Sequence, residues 1–239
     1  MTVPLFRRGV ESQGTVPGGG PNRRFPGYDV LDTVESWDAV TAGVVLARLG
    51  PSPPLRFFTL AEQAAGSALF DQLLDQRGEP RIPVLEYVDA RIAEAITDGW
   101  RYADMPEDGD AFRATFAGLD ADARDARNRL FHELSWDEQA SLVQRVQDLS
   151  HAGDSWRDLP ARHVWSLWTR YACAAFYSHP WAWNEIGFGG PAYPRGYKNI
   201  GMDAREPWEV RDAVNREPIE FGRIVENTRR SDVRAQGFE

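Results

Sequence analysis

Apolar residues recur at helical spacing through most of the chain, and almost no stretch alternates at strand spacing. From Tyr28 the pattern is loosely helical, with Val40, Val44, Val45 and Leu49 as its apolar positions. Gly50 and the "PSPP" after it end that element. "TLAEQAAGSALFDQLLDQ" is a stronger helix. Thr59 and Glu62 have the spacing of a capping box, in which each side chain takes a free amide of the first turn. Leu60, Ala64, Ala68 and Leu69 are expected on one face, with Leu73 close by. Pro83 stands near the start of a third helix, where its missing N–H costs nothing, and Val84, Val88, Ile92 and Ile96 repeat every four residues behind it. Phe112 and Phe116 lie one turn apart in the next helix. Ser135 and Glu138 repeat the capping spacing before "QASLVQRVQDL". "LPARHVWSLWTRYACAAFYSH" closes the series, with Val164, Leu167, Trp168, Tyr171 and Ala175 on one face.

These elements predict an all-α fold, an irregular helical bundle with a long aromatic Gly/Pro-rich loop segment and extended termini. Residues 1–27 read as an arm, 28–208 as the helical domain including the aromatic loop 177–208, and 209–239 as a tail. The loop contains "SHPWAWNEIGFGGPAYPRGYKNIG". Eight aromatic residues fall between Phe176 and Trp208, about twice the density of a chain that is 12% aromatic. Tryptophan, tyrosine and arginine are the residue types enriched at interface hot spots. Trp181 and Phe188 are expected to turn inward, and Tyr193 to Tyr197 to face a partner.

Charge narrows the partners. The formal net charge is −9, so the basic footprint that nucleic acid requires is missing. No apolar run approaches the length of a membrane span. Cys173 is the only cysteine, which excludes an intrachain disulfide. Its apolar helical context predicts a small buried hydrophobe. The N-terminus has two arginines with no apolar stretch after them. As written, the sequence points to the cytoplasm, with periplasmic or extracellular placement by co-export as the alternative.

Candidate chemistry is sparse. His132, His151, His163 and His179 form no HxxxH or HExxH pair, so no helix face offers two metal ligands. His179 precedes Pro180 at the head of the aromatic loop, and capping of the preceding helix is its simplest role. "GFGGP" fits neither phosphate-loop template, and no GxSxG elbow occurs. "DMPEDGDAF" lacks the calcium-loop spacing and reads as a solvated acidic loop that caps the next helix. Asp120, Asp122 and Asp125 read as a solvated helix face. No catalytic residue, cofactor ligand or metal ligand is assigned to this chain.

The order "FFTLAEQAAGSALFDQLL", "RIPVLEYVDARI", "FRATFAGLDADAR", "LSWDEQASLVQRV" and "WTRYACAAFYSHPWAWNEIGFGGPAYPRGY" resembles the gluconate 2-dehydrogenase subunit 3 family over roughly Phe57 to Gly201. "IPVLEYVD" and "FYSHPWAWNEIGFGGPAYPRGY" are its most specific parts. The resemblance implies an accessory small subunit. Its partner would be a large glucose–methanol–choline-type oxidoreductase subunit that holds FAD and oxidises a sugar or glycoside hydroxyl. A cytochrome c subunit often takes the electrons in such complexes. The small subunit supports folding, export or stability of the large one.

Trp183, Asn184, Tyr193, Pro194, Arg195 and Tyr197 are the candidate partner-binding residues. Two alternatives stand beside that role. The loop would line and gate the substrate entrance of the flavin site. Or the chain would be a free-standing carbohydrate enzyme, with Trp181 or Trp183 stacked on a sugar and His179, Glu185 or Arg195 as polar groups.

Overall fold

The computed structural model describes residue 25, residues 28–152 and residues 155–193. The arm apart from Phe25, residues 194–208 of the loop and the tail lie outside the described residues.

The fold is all-α. A 3-10 helix, Val30–Ser36, precedes α1 (Ala39–Ala47), α2 (Leu60–Leu74), α3 (Val84–Ala93) and α4 (Asp108–Arg127). A 3-10 turn, Phe131–Glu133, leads to α5 (Trp136–Ala152), α6 (Ala161–Phe176) and α7 (Pro180–Ile186). Strands β1 (Ser155–Trp156) and β2 (Leu159–Pro160) form one short antiparallel hairpin between α5 and α6. Its two turn residues, Arg157 and Asp158, both have positive φ, as a tight hairpin of matching twist requires.

Local signals explain most helix ends. Glu62 N–H donates to Thr59 Oγ1 at 3.3 Å, and Thr59 N–H donates to Glu62 Oε2 at 2.8 Å. Ser135 N–H donates to Glu138 Oε2 at 3.1 Å, the returning half of the second capping pair. α2 and α4 both stop at a residue in the left-handed region, Asp75 and Asn128.

The main core is built on α6, which packs against α2, α3, α4 and α5. Trp168 is fully buried, its indole N–H donating to Thr115 Oγ1 at 3.1 Å, and it meets Trp156 edge to face at 5.5 Å. Phe112 sits between Phe116 and Tyr171, with centroids 5.7 and 5.3 Å away. A second, smaller core joins Val30, Trp37 and Val45 to Trp183 of α7.

The structure rotates several faces from their expected positions. α2 buries Ala65, Gly66, Leu69 and Phe70, while Leu60 is 83% exposed. Leu60 is the first residue of its helix and lies beyond the edge of the core. Val45 alone is buried in α1, and Val40 and Val44 face outward. Ile96 falls past the end of α3 and is exposed. Cys173 is exposed, because helical spacing puts it on the face of Arg162, Ser166 and Thr169, away from the buried Val164, Trp168 and Tyr171. The acidic residues after α3 are also more engaged than a solvated loop. Asp104 pairs with His163 and Asp108 accepts from Tyr171. Asp120 accepts from the Phe131 amide, and Asp122 accepts from the Trp156 indole.

Candidate functional site

The first half of the aromatic segment is a helix. Pro180 occupies its first position, where no N–H is needed. His179 caps this following helix and not the preceding one, since Nδ1 accepts the Trp181 amide at 3.2 Å. Its Nε2 lies 2.9 Å from the Arg48 carbonyl, an acceptor only, so Nε2 carries the proton and donates. Both bonds need the neutral ring. Burial pushes the His179 pKa down to about 4 against a weaker opposing pull from the Arg48 carbonyl, and the Arg48 charge adds to the lowering. Arg48 also donates to the Ser178 carbonyl at 2.5 Å, and its own carbonyl accepts from Tyr87 Oη at 3.2 Å. The end of α1, the face of α3 and the start of α7 thus meet at one point.

Two of the six candidate partner residues are engaged inside the chain. Trp183 is buried in the second core, and its indole N–H donates to the Tyr177 carbonyl at 2.7 Å. Asn184 is buried. Its Oδ1 accepts the Val30 amide at 2.7 Å, and its Nδ2 donates to Asp29 at 3.1 Å. It ties α7 to the start of the 3-10 helix, 154 residues earlier. Tyr193 is 68% exposed. Pro194, Arg195 and Tyr197 lie outside the described residues. Of the two rings expected inward, Trp181 is half-buried against the main core, whereas Phe188 is exposed and leans edge-on against Trp183.

The glycines of "GFGG" make room for rings from the other end of the chain. Gly187 ends α7 in the left-handed region, and a Cβ there would stand 2.6 Å from Phe25 Cζ. Gly190 has φ +78°, and a Cβ there would stand 2.6 Å from Trp37 Cζ2. Gly190→Ala is therefore expected to cost about 2 kcal/mol through backbone strain and overpacking. It should loosen the small core, read as a lower melting temperature and altered tryptophan fluorescence.

A second aromatic cluster was not legible in the sequence. Tyr102 stacks flat on His163 at 3.7 Å, and Trp100 meets Tyr102 edge-on at 5.3 Å. His163 Nδ1 lies 2.9 Å from Asp104, and its Nε2 accepts from Arg162 at 3.1 Å. Both ring nitrogens are thus engaged, and the pair staples the α3–α4 loop onto α6. The partners are 59 residues apart, and no local signal announces them. His132 is exposed on its 3-10 turn.

Two clefts adjoin each other beside α2, with volumes of about 290 and 370 Å³. Asp71, Gln76 and Arg81 line both. Burial pushes the Asp71 carboxyl above its usual range, with Arg81 opposing. Arg81 bonds Asp71 and Glu79, and Gln76 clasps Ile82 through both its amide atoms. The polar groups here hold the loop 75–83 in place. Among the described residues no group of three or more His, Cys, Asp or Glu could hold a metal ion, and no helix is long and apolar enough to cross a membrane.

Compared with known families, residues 61–190 match the model described as gluconate 2-dehydrogenase subunit 3. No curated protein and no solved structure matches the chain significantly.

Proposed function

The chain belongs to the gluconate 2-dehydrogenase subunit 3 family, whose model spans more than half of its length, and from that premise we propose that it is a non-catalytic subunit that stabilises an FAD-bearing catalytic partner and assists its folding. The family is an accessory subunit of a dehydrogenase complex, so catalytic partner subunits are implied. The partner in this reading is a large glucose–methanol–choline-type flavoprotein acting on a sugar or glycoside.

In this reading the flavin belongs to the partner, and the topology of this chain is consistent with that. A dinucleotide site of the common kind needs a strand, a glycine turn and a helix in sequence. The strands of the described residues are two residues long and belong to one hairpin. "GFGG" directly follows the helix α7, so no strand leads into it.

The observation that carries the proposal is the division of labour in the aromatic segment. Of the polar groups of the sugar-site alternative, His179 is buried and bonded within the chain, Glu185 is half-buried next to the buried and bonded Asn184, and Arg195 lies outside the described residues. Tyr177, Ile186, Phe188 and Tyr193 are exposed. A sugar site would need the reverse, an open ring face flanked by polar groups. Trp183 has no open face to offer, because Val30, Trp37 and Val45 cover it. Exposed rings beside spent polar groups suit a protein partner.

Tagging this chain and purifying it with its co-produced partner tests the proposal. The expected eluate contains a larger protein and shows a flavin absorption spectrum. A chain that elutes alone, or with a partner that holds no flavin, would falsify it.

A further inference from the structure

From Leu159 to Met202 the sequence has a single carboxylate, Glu185, in 44 residues. The whole chain has 36 among 239, so a run of this length would ordinarily hold about seven. α6 lies inside that run. Its outer face is formed by Arg162, Ser166, Thr169, Cys173 and Tyr177, spaced three or four residues apart, with Ala174 exposed beside them. Arg162 donates to His163 Nε2, and among the described residues it meets no carboxylate.

Aromatic rings adjoin one flank and one end of this face. Along the flank Tyr102 lies on His163, and Trp100 lies 4.6 Å from the Arg170 guanidinium. At the C-terminal end Tyr177 is exposed, and its carbonyl holds the Trp183 indole against which Phe188 leans. Asp98 and Asp104, beside those rings, are engaged by Arg91, Arg170 and His163. The exposed positions of α6 thus carry no carboxylate, and rings stand beside them.

We propose that the outer face of α6, from Arg162 to Tyr177 with Trp100 and Tyr102 beside it, is the docking surface for the catalytic subunit. The inference rests on the accessory-subunit reading and adds the location and chemistry of the contact. The matching surface is apolar at its centre and carries a carboxylate opposite Arg162. A second copy of this chain fits poorly, since the same face has no carboxylate to meet Arg162.

Cys173, the sole cysteine, stands in the middle of this face and makes it directly measurable. In the free chain iodoacetamide should alkylate Cys173 readily, and in the complex at least about tenfold more slowly. Cys173→Glu and Ala174→Glu should each weaken capture of the catalytic subunit by about tenfold or more while leaving the chain's own melting curve unchanged. Leu60→Glu, at an exposed apolar position outside the face, should be captured like the unaltered chain. Equal alkylation in chain and complex, or normal capture of both face variants, would overturn the assignment and leave the accessory reading standing. Cys173 shielded in the free chain and released by deleting residues 203–239 would also overturn it, naming the chain's own tail as the cover. Failure of the unaltered chain to capture any catalytic subunit would remove the accessory reading and this inference together.

Discussion

Asp89→Ala is expected to lower the stability of the helical domain by about 3–5 kcal/mol, the largest effect of any single polar substitution. Asp89 is fully buried on α3. Its Oδ1 accepts the amides of Phe57 and Phe58 at 2.9 and 2.7 Å, and its Oδ2 accepts that of Arg56 at 2.6 Å. Three consecutive backbone donors are therefore satisfied by one side chain from 31 to 33 residues away. The turn they form delivers Phe58 into the core against Phe116 and sets the entry to α2. Alanine leaves those donors without an acceptor and a space where the carboxylate was. Asp89→Asn should cost less, because its one oxygen can keep two of the amides while its NH₂ opposes the third. Thermal melts should show roughly 10 °C lost for alanine and an intermediate loss for asparagine. Equal melts for all three would show that the turn holds itself.

His179→Ala should detach α7 from the rest at a cost of about 2–4 kcal/mol, and the cost should depend on pH. The substitution removes the cap on the Trp181 amide, the donor to the Arg48 carbonyl and the ring packed 4.8 Å from Trp181. In the folded chain the imidazole resists protonation until about pH 4, whereas an unfolded histidine takes a proton near 6.5. Between those values the unfolded state binds more protons. Stability from His179 is therefore complete above about pH 6.5 and is lost as pH falls towards 4, by up to about 1.4 kcal/mol per unit. Arg48 is the charged group that acts on the ring, and the Tyr87 ring lies 6.5 Å from it. The gap between the native chain and His179→Ala should narrow by about 2 kcal/mol from pH 7 to pH 5 in denaturant titrations at each pH. A gap that stays constant would mean that the ring is not held neutral.

The sequence disclosed what depends on neighbours. Thr59 with Glu62, and Ser135 with Glu138, could be read because a cap and its partner are three residues apart. The all-α class could be read because periodicity accumulates over many turns. What stayed hidden depends on distant contacts. Asp89 lies within the distinctive "IPVLEYVD", but its role needs Arg56 to Phe58 beside it. The α7 helix was masked by glycine, proline and tryptophan, although Pro180 at its first position and Gly187 at its end are ordinary helix punctuation. Trp183 and Phe188 exchange the places expected of them because the second core comes from Val30, Trp37 and Val45, at the far end of the chain. Cys173 faces outward because it shares the helix face of Arg162, Ser166 and Thr169, a spacing that its apolar neighbours in sequence obscured. For the candidate partner residues, the segment was legible and the division of its rings between core and surface was not.

The central claim is that this chain supports a catalytic flavoprotein and performs no chemistry itself. Producing the catalytic subunit with and without this chain, and measuring soluble flavin-loaded enzyme and its turnover of sugar substrates, tests that claim most directly. The account predicts that omission collapses the yield of loaded enzyme, while this chain alone turns over nothing. A catalytic subunit that accumulates, loads flavin and turns over equally well without this chain would contradict it.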